Sequence, residues 1–171
     1  MSKLIAILNC DCKFGIGKRN GLLFRLPKDM AYFRETTKGH AVAMGENTLL
    51  SFPHSAPLKN RTNIVLSQDP THEYEGCVNV HSMDDFKKAI ADELTKDDVF
   101  VIGGASIYAQ MLPYYDEVLL TKVQEDGEAE VFFPNLDENP AFACVDEGKP
   151  EEDNGHVIRF TRYVNHEKKP L

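Results

Sequence analysis

Asp29 is the first residue whose surroundings suggest chemistry. It stands two residues after Pro27, hemmed by Leu22, Leu23, Phe24, Met30 and Phe33. A lone carboxylate among apolar side chains can bind a cationic or amidine-like group, or relay a proton, because burial disfavours its charged form. The same position also suits a solvated aspartate held in the first turn of a helix by the dipole. Two glycine-bearing segments suggest anion binding. Val101-Ile-Gly-Gly-Ala-Ser-Ile-Tyr108 ends an apolar run on a glycine pair and opens a helix; Met44-Gly45-Glu-Asn-Thr48 repeats the pattern with a hydroxyl added. Without Cβ atoms the backbone lets a phosphate approach the free N–H groups of a helix start. Either segment alone also reads as a closely packed turn. Two such junctions in one sheet suit a ligand with two phosphates lying across the strands' carboxyl edge, as a dinucleotide does. Arg61 could clamp an anionic tail through its planar fork or be a plain surface residue, and Thr121 reads as a strand hydroxyl. There is no Gly-x-Ser-x-Gly segment and no cysteine at a motif spacing from a histidine, so nucleophilic catalysis has no candidate.

Positioning these residues requires a frame, and the hydrophobic pattern supplies one. Lys3 to Asn9 reads as a buried strand. From Cys10 to Pro27 no period is visible, and Gly15, Gly17 and Gly21 mark a mobile, functional loop. Pro27 and Gly39 bracket a helix with Met30, Phe33 and Thr37 on one face. His40 to Gly45 is a strand, followed by a short helix over Glu46 to Ser51. Thr62 to Ser67 and Cys77 to His81 are further strands. Ser82 to Asp85 forms a capping box for a helix that turns Phe86, Ala89, Ile90 and Leu94 inward. Asp98 to Gly103 is a strand, Gly104 to Met111 a helix, and Glu117 to Val123 a strand. Phe142 to Glu147 and His156 to Val164 are closing strands joined by a polar loop, Gly148 to Gly155. The alternation predicts one α/β domain over residues 1–171. Its mostly parallel twisted sheet carries helices on both faces and an antiparallel strand pair at the C-terminal edge.

Composition excludes several classes. The chain has 171 residues, 42% apolar and 27% charged, close to the soluble globular average. With 19 basic against 27 acidic residues the net charge is −8, which disfavours a nucleic-acid partner. No apolar run approaches a membrane span, and Met1-Ser2-Lys3 leads directly into a strand, so a cytoplasmic protein without membrane contact is expected. Cys10, Cys12, Cys77 and Cys144 are too sparse for a disulfide scaffold or a zinc site; reduced, buried or half-buried thiols and no metal are expected.

Taken in order, several segments resemble the bacterial dihydrofolate reductases over essentially the whole chain. They are Leu4-Ile-Ala-Ile-Leu8, Phe14-Gly-Ile-Gly17, Leu26-Pro-Lys-Asp-Met-Ala-Tyr-Phe33, Ala43-Met-Gly-Glu-Asn-Thr48, Leu58-Lys-Asn-Arg-Thr-Asn-Ile-Val-Leu-Ser67, Val101 to Tyr108, Leu119-Leu-Thr121 and Phe132-Phe-Pro134. The resemblance implies reduction of 7,8-dihydrofolate to tetrahydrofolate by hydride from NADPH, in a monomer that also binds antifolates. Carried over position by position, Asp29 matches the sole active-site acid, which grips the pterin's amino-pyrimidine edge, and Thr121 bonds to that carboxylate. Ile5, Met30, Phe33, Phe52 and Leu58 match the walls around the substrate rings, and Arg61 matches the residue holding the glutamate α-carboxylate. Cofactor contacts fall on Ile7, Phe14, Gly45, Glu46, Asn47, Thr48, Leu66, Ser67, Gln68 and His81. They continue through Ile102, Gly103, Gly104, Ala105, Ser106, Ile107 and Tyr108, the glycine pair matching one joined by a cis peptide. Gly15, Ile16, Gly17, Asn20, Gly21 and Leu22 match a loop that closes over the nicotinamide, Leu22 lying nearest the chemistry.

The chain departs from the family pattern at a few positions. Phe24 stands where the family usually has tryptophan, and the chain contains none. Glu46 occupies a place where many members carry arginine. His81 matches a lysine of some relatives, and Ser67 can still donate to the cofactor's 2′-phosphate. NADPH is therefore expected to be preferred by less than is usual, with the preference growing at low pH as His81 protonates. Two alternatives remain open at this point: a same-fold pyrimidine reductase of riboflavin synthesis, and a non-catalytic nucleotide-binding module.

Overall fold

Successive side chains of a strand point to opposite faces, and the first strand uses both. In the computed structural model, which describes residues 1–18 and 21–171, β1 (Leu4–Cys10) sends Leu4 and Ala6 into one apolar cluster and Ile5 and Ile7 into another. The remaining elements follow as β2 (Gly15–Gly17), α1 (Pro27–Thr37), β3 (Ala41–Gly45), α2 (Glu46–Leu50), β4 (Asn63–Leu66), β5 (Cys77–Val80) and α3 (Met83–Leu94). After these come β6 (Val99–Val101), α4 (Ala105–Met111), β7 (Glu117–Val123), β8 (Val131–Phe132), β9 (Phe142–Glu147), β10 (Glu151–Asp153) and β11 (His156–Asn165).

The main sheet runs β10-β11-β7-β1-β6-β3-β4-β5, with β9 also paired to β11. From β7 to β5 every pairing is parallel; β11 runs antiparallel to β7. Leu49 of α2 and the half-buried Tyr32 and Phe33 of α1 cover the face of Ile5 and Ile7. Phe86 and Ile90 of α3, with Ile107, Tyr108 and Met111 of α4, cover the other. Helices on both faces explain why strands such as Ala41–Gly45 are apolar throughout. Ser82 caps α3 as expected, its side chain accepting from the Asp85 N–H at 3.1 Å.

Four expectations change. The polar Gly148 to Gly155 segment contains β10, which pairs with the first half of β11 while β9 pairs with the second. An edge strand takes its stability from backbone bonds, so Glu151-Glu-Asp153 pairs without apolar alternation. Gly15 to Gly17 is also a strand rather than irregular loop, because β8, more than a hundred residues later, supplies its partner. On α1 the inward face is Asp29, Phe33 and Thr37, spaced by four, and Met30 lies 48% exposed. The four cysteines are free, but only Cys10 is buried and Cys77 half-buried; Cys12 sits in a turn and Cys144 on an outer strand, both exposed. No helix of the described residues is long and apolar enough to cross a membrane.

Candidate active site

The parallel register of β1 and β7 sets Asn9 beside Thr121 at the strands' carboxyl ends. Both side chains reach the inward face of α1. The Thr121 hydroxyl donates to Asp29 Oδ1 at 2.7 Å, and the Asn9 amide donates to Oδ2 at 3.0 Å. Asp29 is buried, 8% exposed. Desolvation raises its pKa above the ordinary carboxylate value, against the lowering effect of the Thr121 and Asn9 bonds. The carboxylate is thus oriented from behind, by two neutral donors. A carboxyl of raised pKa, held in this way, is suited to accept paired hydrogen bonds from an amidine-like edge and to share a proton with it. Asn9 escaped the sequence reading; its one signal was a polar residue closing an apolar strand.

Ile5, Phe33, Phe52 and Leu58 belong to one apolar cluster on this side of the sheet, so four of the five expected wall residues are brought together. Met30 lies outside that cluster. Leu22 is 74% exposed and does not enclose Asp29. Phe24 packs with Leu26, Val123, Ile158 and Phe160, and its ring lies 5.0 Å from that of His156.

Arg61 is tied to the end of α1. Its Nε donates to Thr37 Oγ1 at 3.0 Å, and its terminal nitrogens donate to Lys59 O at 2.7 Å and Arg34 O at 3.3 Å. Burial first, and the charge of Arg34 second, lower its pKa. Two guanidinium groups close enough to repel make a positive spot that a carboxylate relieves.

The glycine junctions meet at the sheet's carboxyl edge. The Gly45 N–H at the end of β3 donates to Gly103 O just beyond β6, at 2.9 Å. α2 leaves β3 toward one face and α4 leaves β6 toward the other, the arrangement that opens a ligand crevice between adjacent strands. A Cβ on Gly103, whose φ is +134°, would lie 3.0 Å from Thr48 Oγ1; one on Gly45 would lie 3.2 Å from Ile107. The peptide between Gly103 and Gly104 is cis. Gly104 gives α4 no side-chain cap. Ala105 and the exposed Ser106 follow; Ser106 accepts from Gln110 at 2.8 Å. Tyr108 turns into the core, its hydroxyl donating to Ile7 O at 2.9 Å, and Ile102 packs against the apolar cluster of Ile7. A crevice floored by glycine backbone and edged by the Thr48 hydroxyl fits a diphosphate group. Asn47 lies exposed beside it.

The far end of this crevice differs from expectation. Glu46 opens α2, and its carboxylate accepts from Tyr74, from Ser67 Oγ at 3.0 Å and from a ring nitrogen of His72 at 2.6 Å. These bonds lower its pKa, Tyr74 contributing most, and in return the Tyr74 phenol is pushed up to about 12. Ser67, expected to face a phosphate, is occupied with Glu46. His81 donates to Ser67 O at 2.9 Å and approaches Glu73, and its pKa is raised, the Ser67 bond contributing most. Leu66 is buried and Gln68 exposed. Sequence spacing did not reveal Tyr74 or His72, because they lie on the irregular segment before β5.

Of the glycine loop, Asn20 lies outside the described residues. Gly15 and Gly17 pair with Phe132 and Val131, Ile16 packs against the main core, and Phe14 is buried. The buried Asp11 carboxylate accepts from the N–H groups of Lys13, Gly15 and Gly127, so it fastens the turn after β1 to a distant segment. At Gly15 an added Cβ would stand 2.3 Å from Ala129 Cβ. Gly21 bridges back to Lys18.

Comparison with known proteins agrees with this geometry. The family model described as dihydrofolate reductase matches residues 3–166. The chain is 37% identical over 158 residues to a dihydrofolate reductase of Bacillus subtilis, covering 92% of this chain and 91% of that one. It is 33% identical over 163 residues to one of Staphylococcus haemolyticus, covering 94% and 95%. A solved dihydrofolate reductase from Enterococcus faecalis, complexed with NADP(H) and RAB-propyl, superposes with a TM-score of 0.81 at 28% identity, covering 95% of this chain and 96% of that one. With likeness along almost the full length, a buried acid bonded to a strand threonine and a glycine-floored crevice beside it, the chain belongs to the dihydrofolate reductase family.

Proposed function

We propose that this protein reduces 7,8-dihydrofolate to 5,6,7,8-tetrahydrofolate at the Asp29 site, as a cytoplasmic monomer of one domain spanning residues 1–171. The observation that carries the reading is the Asp29 carboxylate itself: buried, raised in pKa, and held by Thr121 and Asn9 at the mouth of an apolar cluster. Asp29 accepts from the amino-pyrimidine edge of the substrate while Ile5, Phe33, Phe52 and Leu58 enclose its rings. Arg61, supported by Arg34, receives the α-carboxylate of the glutamate tail. NADPH, when bound, supplies the hydride. The residues that would hold it are Gly45, Thr48, Gly103 and Gly104 around the diphosphate, with Gly15, Ile16, Gly17, Gly21 and Leu22 at the reacting end. The substrate must also take up a proton, and among the described residues the site offers no acid besides Asp29 within its apolar walls. Asp29 polarises the bound substrate, and water delivers the proton to the ring.

A reductase acting on a different pyrimidine would have no use for the pairing of Asp29 with Arg61 at the two ends of one helix, and a binding module would have no use for a buried acid of raised pKa. The deciding experiment follows NADPH absorbance with dihydrofolate, with and without a diaminopyrimidine antifolate. Substrate-dependent, antifolate-sensitive oxidation is expected; none at any substrate concentration would overturn the reading.

One refinement rests on the Glu46 network. A carboxylate fixed by Tyr74, Ser67 and His72 repels a 2′-phosphate and suits a 2′-hydroxyl. NADPH is therefore preferred over NADH by a smaller margin than an arginine would give. Protonation of His81 at low pH widens that margin.

A further inference from the structure

The helix that carries Asp29 begins without a cap of its own. Leu26 at its N-cap offers no side-chain acceptor, and the first N–H groups of any helix lack intrahelical partners. The acceptor arrives from the other end of the chain. Asp153, the last residue of β10, accepts from the Lys28 N–H at 3.2 Å through Oδ1 and from the Asp29 N–H at 3.1 Å through Oδ2. Its side chain is buried, with the residue 3% exposed. The next residue, Asn154, donates to Arg25 O at 3.0 Å, and the turn is closed by the Asp153–His156 pair of β10 and β11. The hairpin therefore clasps the backbone on both sides of Leu26-Pro27, while Leu26 itself packs on Val123 and Ile158.

We propose that Asp153 is a positioning residue for Asp29: its two backbone bonds fix the turn that carries the site carboxylate and hold a second negative charge beside it. The proposal rests on the reading of Asp29 given above. Two effects of the same sign support it. A carboxylate in a helix's first turn is ordinarily stabilised as the anion by the helix dipole and the free N–H groups. Asp153 takes those N–H groups and neutralises that end of the helix, so Asp29 gains little from its position. Asp153 is also a like charge close to Asp29, which favours the protonated form of Asp29. The other groups facing Asp29 are neutral: Thr121 on β7 and Asn9 on β1 donate to it, and the phenols of Tyr32 on α1 and Tyr108 on α4 are raised in pKa by burial and, second, by the Asp29 charge. Among the described residues Asp153 is the charged group acting on the site acid.

The test is the pH profile of kcat/KM in Asp153→Asn, with Asp153→Glu as the conservative partner. The amide retains one acceptor but loses the charge. The ionisation that governs kcat/KM should move to lower pH by about half a unit to one unit, and the Asp29 carboxyl resonance should titrate lower by the same amount. Asp153→Glu should restore most of the shift. A correctly folded Asp153→Asn whose profile and Asp29 titration superpose on the parent's would overturn the proposal, leaving Asp153 a helix cap only. Asp153→Ala, which loses both bonds, should in addition raise KM for dihydrofolate by about 3- to 10-fold. If that variant does not fold, the asparagine variant still decides. An Asp29→Asn protein with full activity would instead remove the reading of the site itself, whatever Asp153 does.

Discussion

Asp29 and Glu46 are both carboxylates in the first turn of a helix that leaves the same edge of one sheet, yet their chemistry is opposite. Asp29 is enclosed by apolar walls, meets two neutral donors and binds its proton more tightly than usual. Glu46 lies half-exposed, receives three hydrogen bonds and binds its proton less tightly. A helix start favours the anion in both cases. At Asp29 desolvation outweighs that help, and Asp153 has already taken the N–H groups that would provide it. The contrast teaches that placement on a helix does not decide whether an acid exchanges protons or acts as a fixed negative charge; the neighbours that displace water do.

The largest test of this contrast removes the acid that exchanges protons. Asp29→Asn should lower kcat/KM for dihydrofolate by about 30- to 1,000-fold, corresponding to ~2–4 kcal/mol of lost transition-state stabilisation. A variant keeping half the parent's kcat/KM would reduce Asp29 to another fixed charge. Arg61→Leu tests the far end of α1. It should weaken dihydrofolate by ~2–4 kcal/mol in titration calorimetry and leave a small antifolate without a carboxylate nearly unchanged. Equal losses for both ligands would mean that Arg61 serves the fold through Thr37 and Arg34 instead.

At the other acid, Glu46→Arg should tighten NADPH by ~1–3 kcal/mol with little change for NADH, read as the ratio of kcat/KM for the two cofactors. An unmoved ratio would place the 2′-phosphate elsewhere. The smallest expected effect is on stability. Because Asp29 binds its proton more tightly when folded, the folded state gains from that proton at low pH and loses the gain as pH rises through the folded pKa. Replacing Asp29 by asparagine removes that loss, so the Tm should rise by about 1–4 °C at neutral pH and converge with the parent's under acid conditions. A lower Tm at neutral pH would mean that the Thr121 and Asn9 bonds outweigh desolvation.

Much of the fold was legible in the chain because local signals agreed. The strands at Leu4, Ala41 and Glu117, the proline-started α1 and the Ser82 cap all followed from hydrophobic period and capping chemistry. β2, β8 and β10 were not legible: each is two or three residues long, β2 and β8 exist only through each other from more than a hundred residues apart, and β10 pairs in a hairpin with β11 without any apolar alternation. The site divides in the same way. Asp29, Thr121, Arg61 and the glycine junctions could be singled out by residue type, and by resemblance where type alone was ambiguous. Asn9, Tyr74 and His72 carry no spacing signal, because Asn9 meets Asp29 from 20 residues away and His72 and Tyr74 meet Glu46 from 26 and 28.

The sequence by itself determined the α/β architecture, the glycine-floored crevice and the acid on the helix after Leu26-Pro27, because strand and helix periods, turn chemistry and residue types act over a few neighbouring positions. Only the tertiary structure decided which face of α1 turns inward, how strongly Asp29 holds its proton, and that Ser67 and Tyr74 serve Glu46. Those outcomes depend on groups that folding brings together from distant parts of the chain. Desolvation and hydrogen bonding follow distance in space.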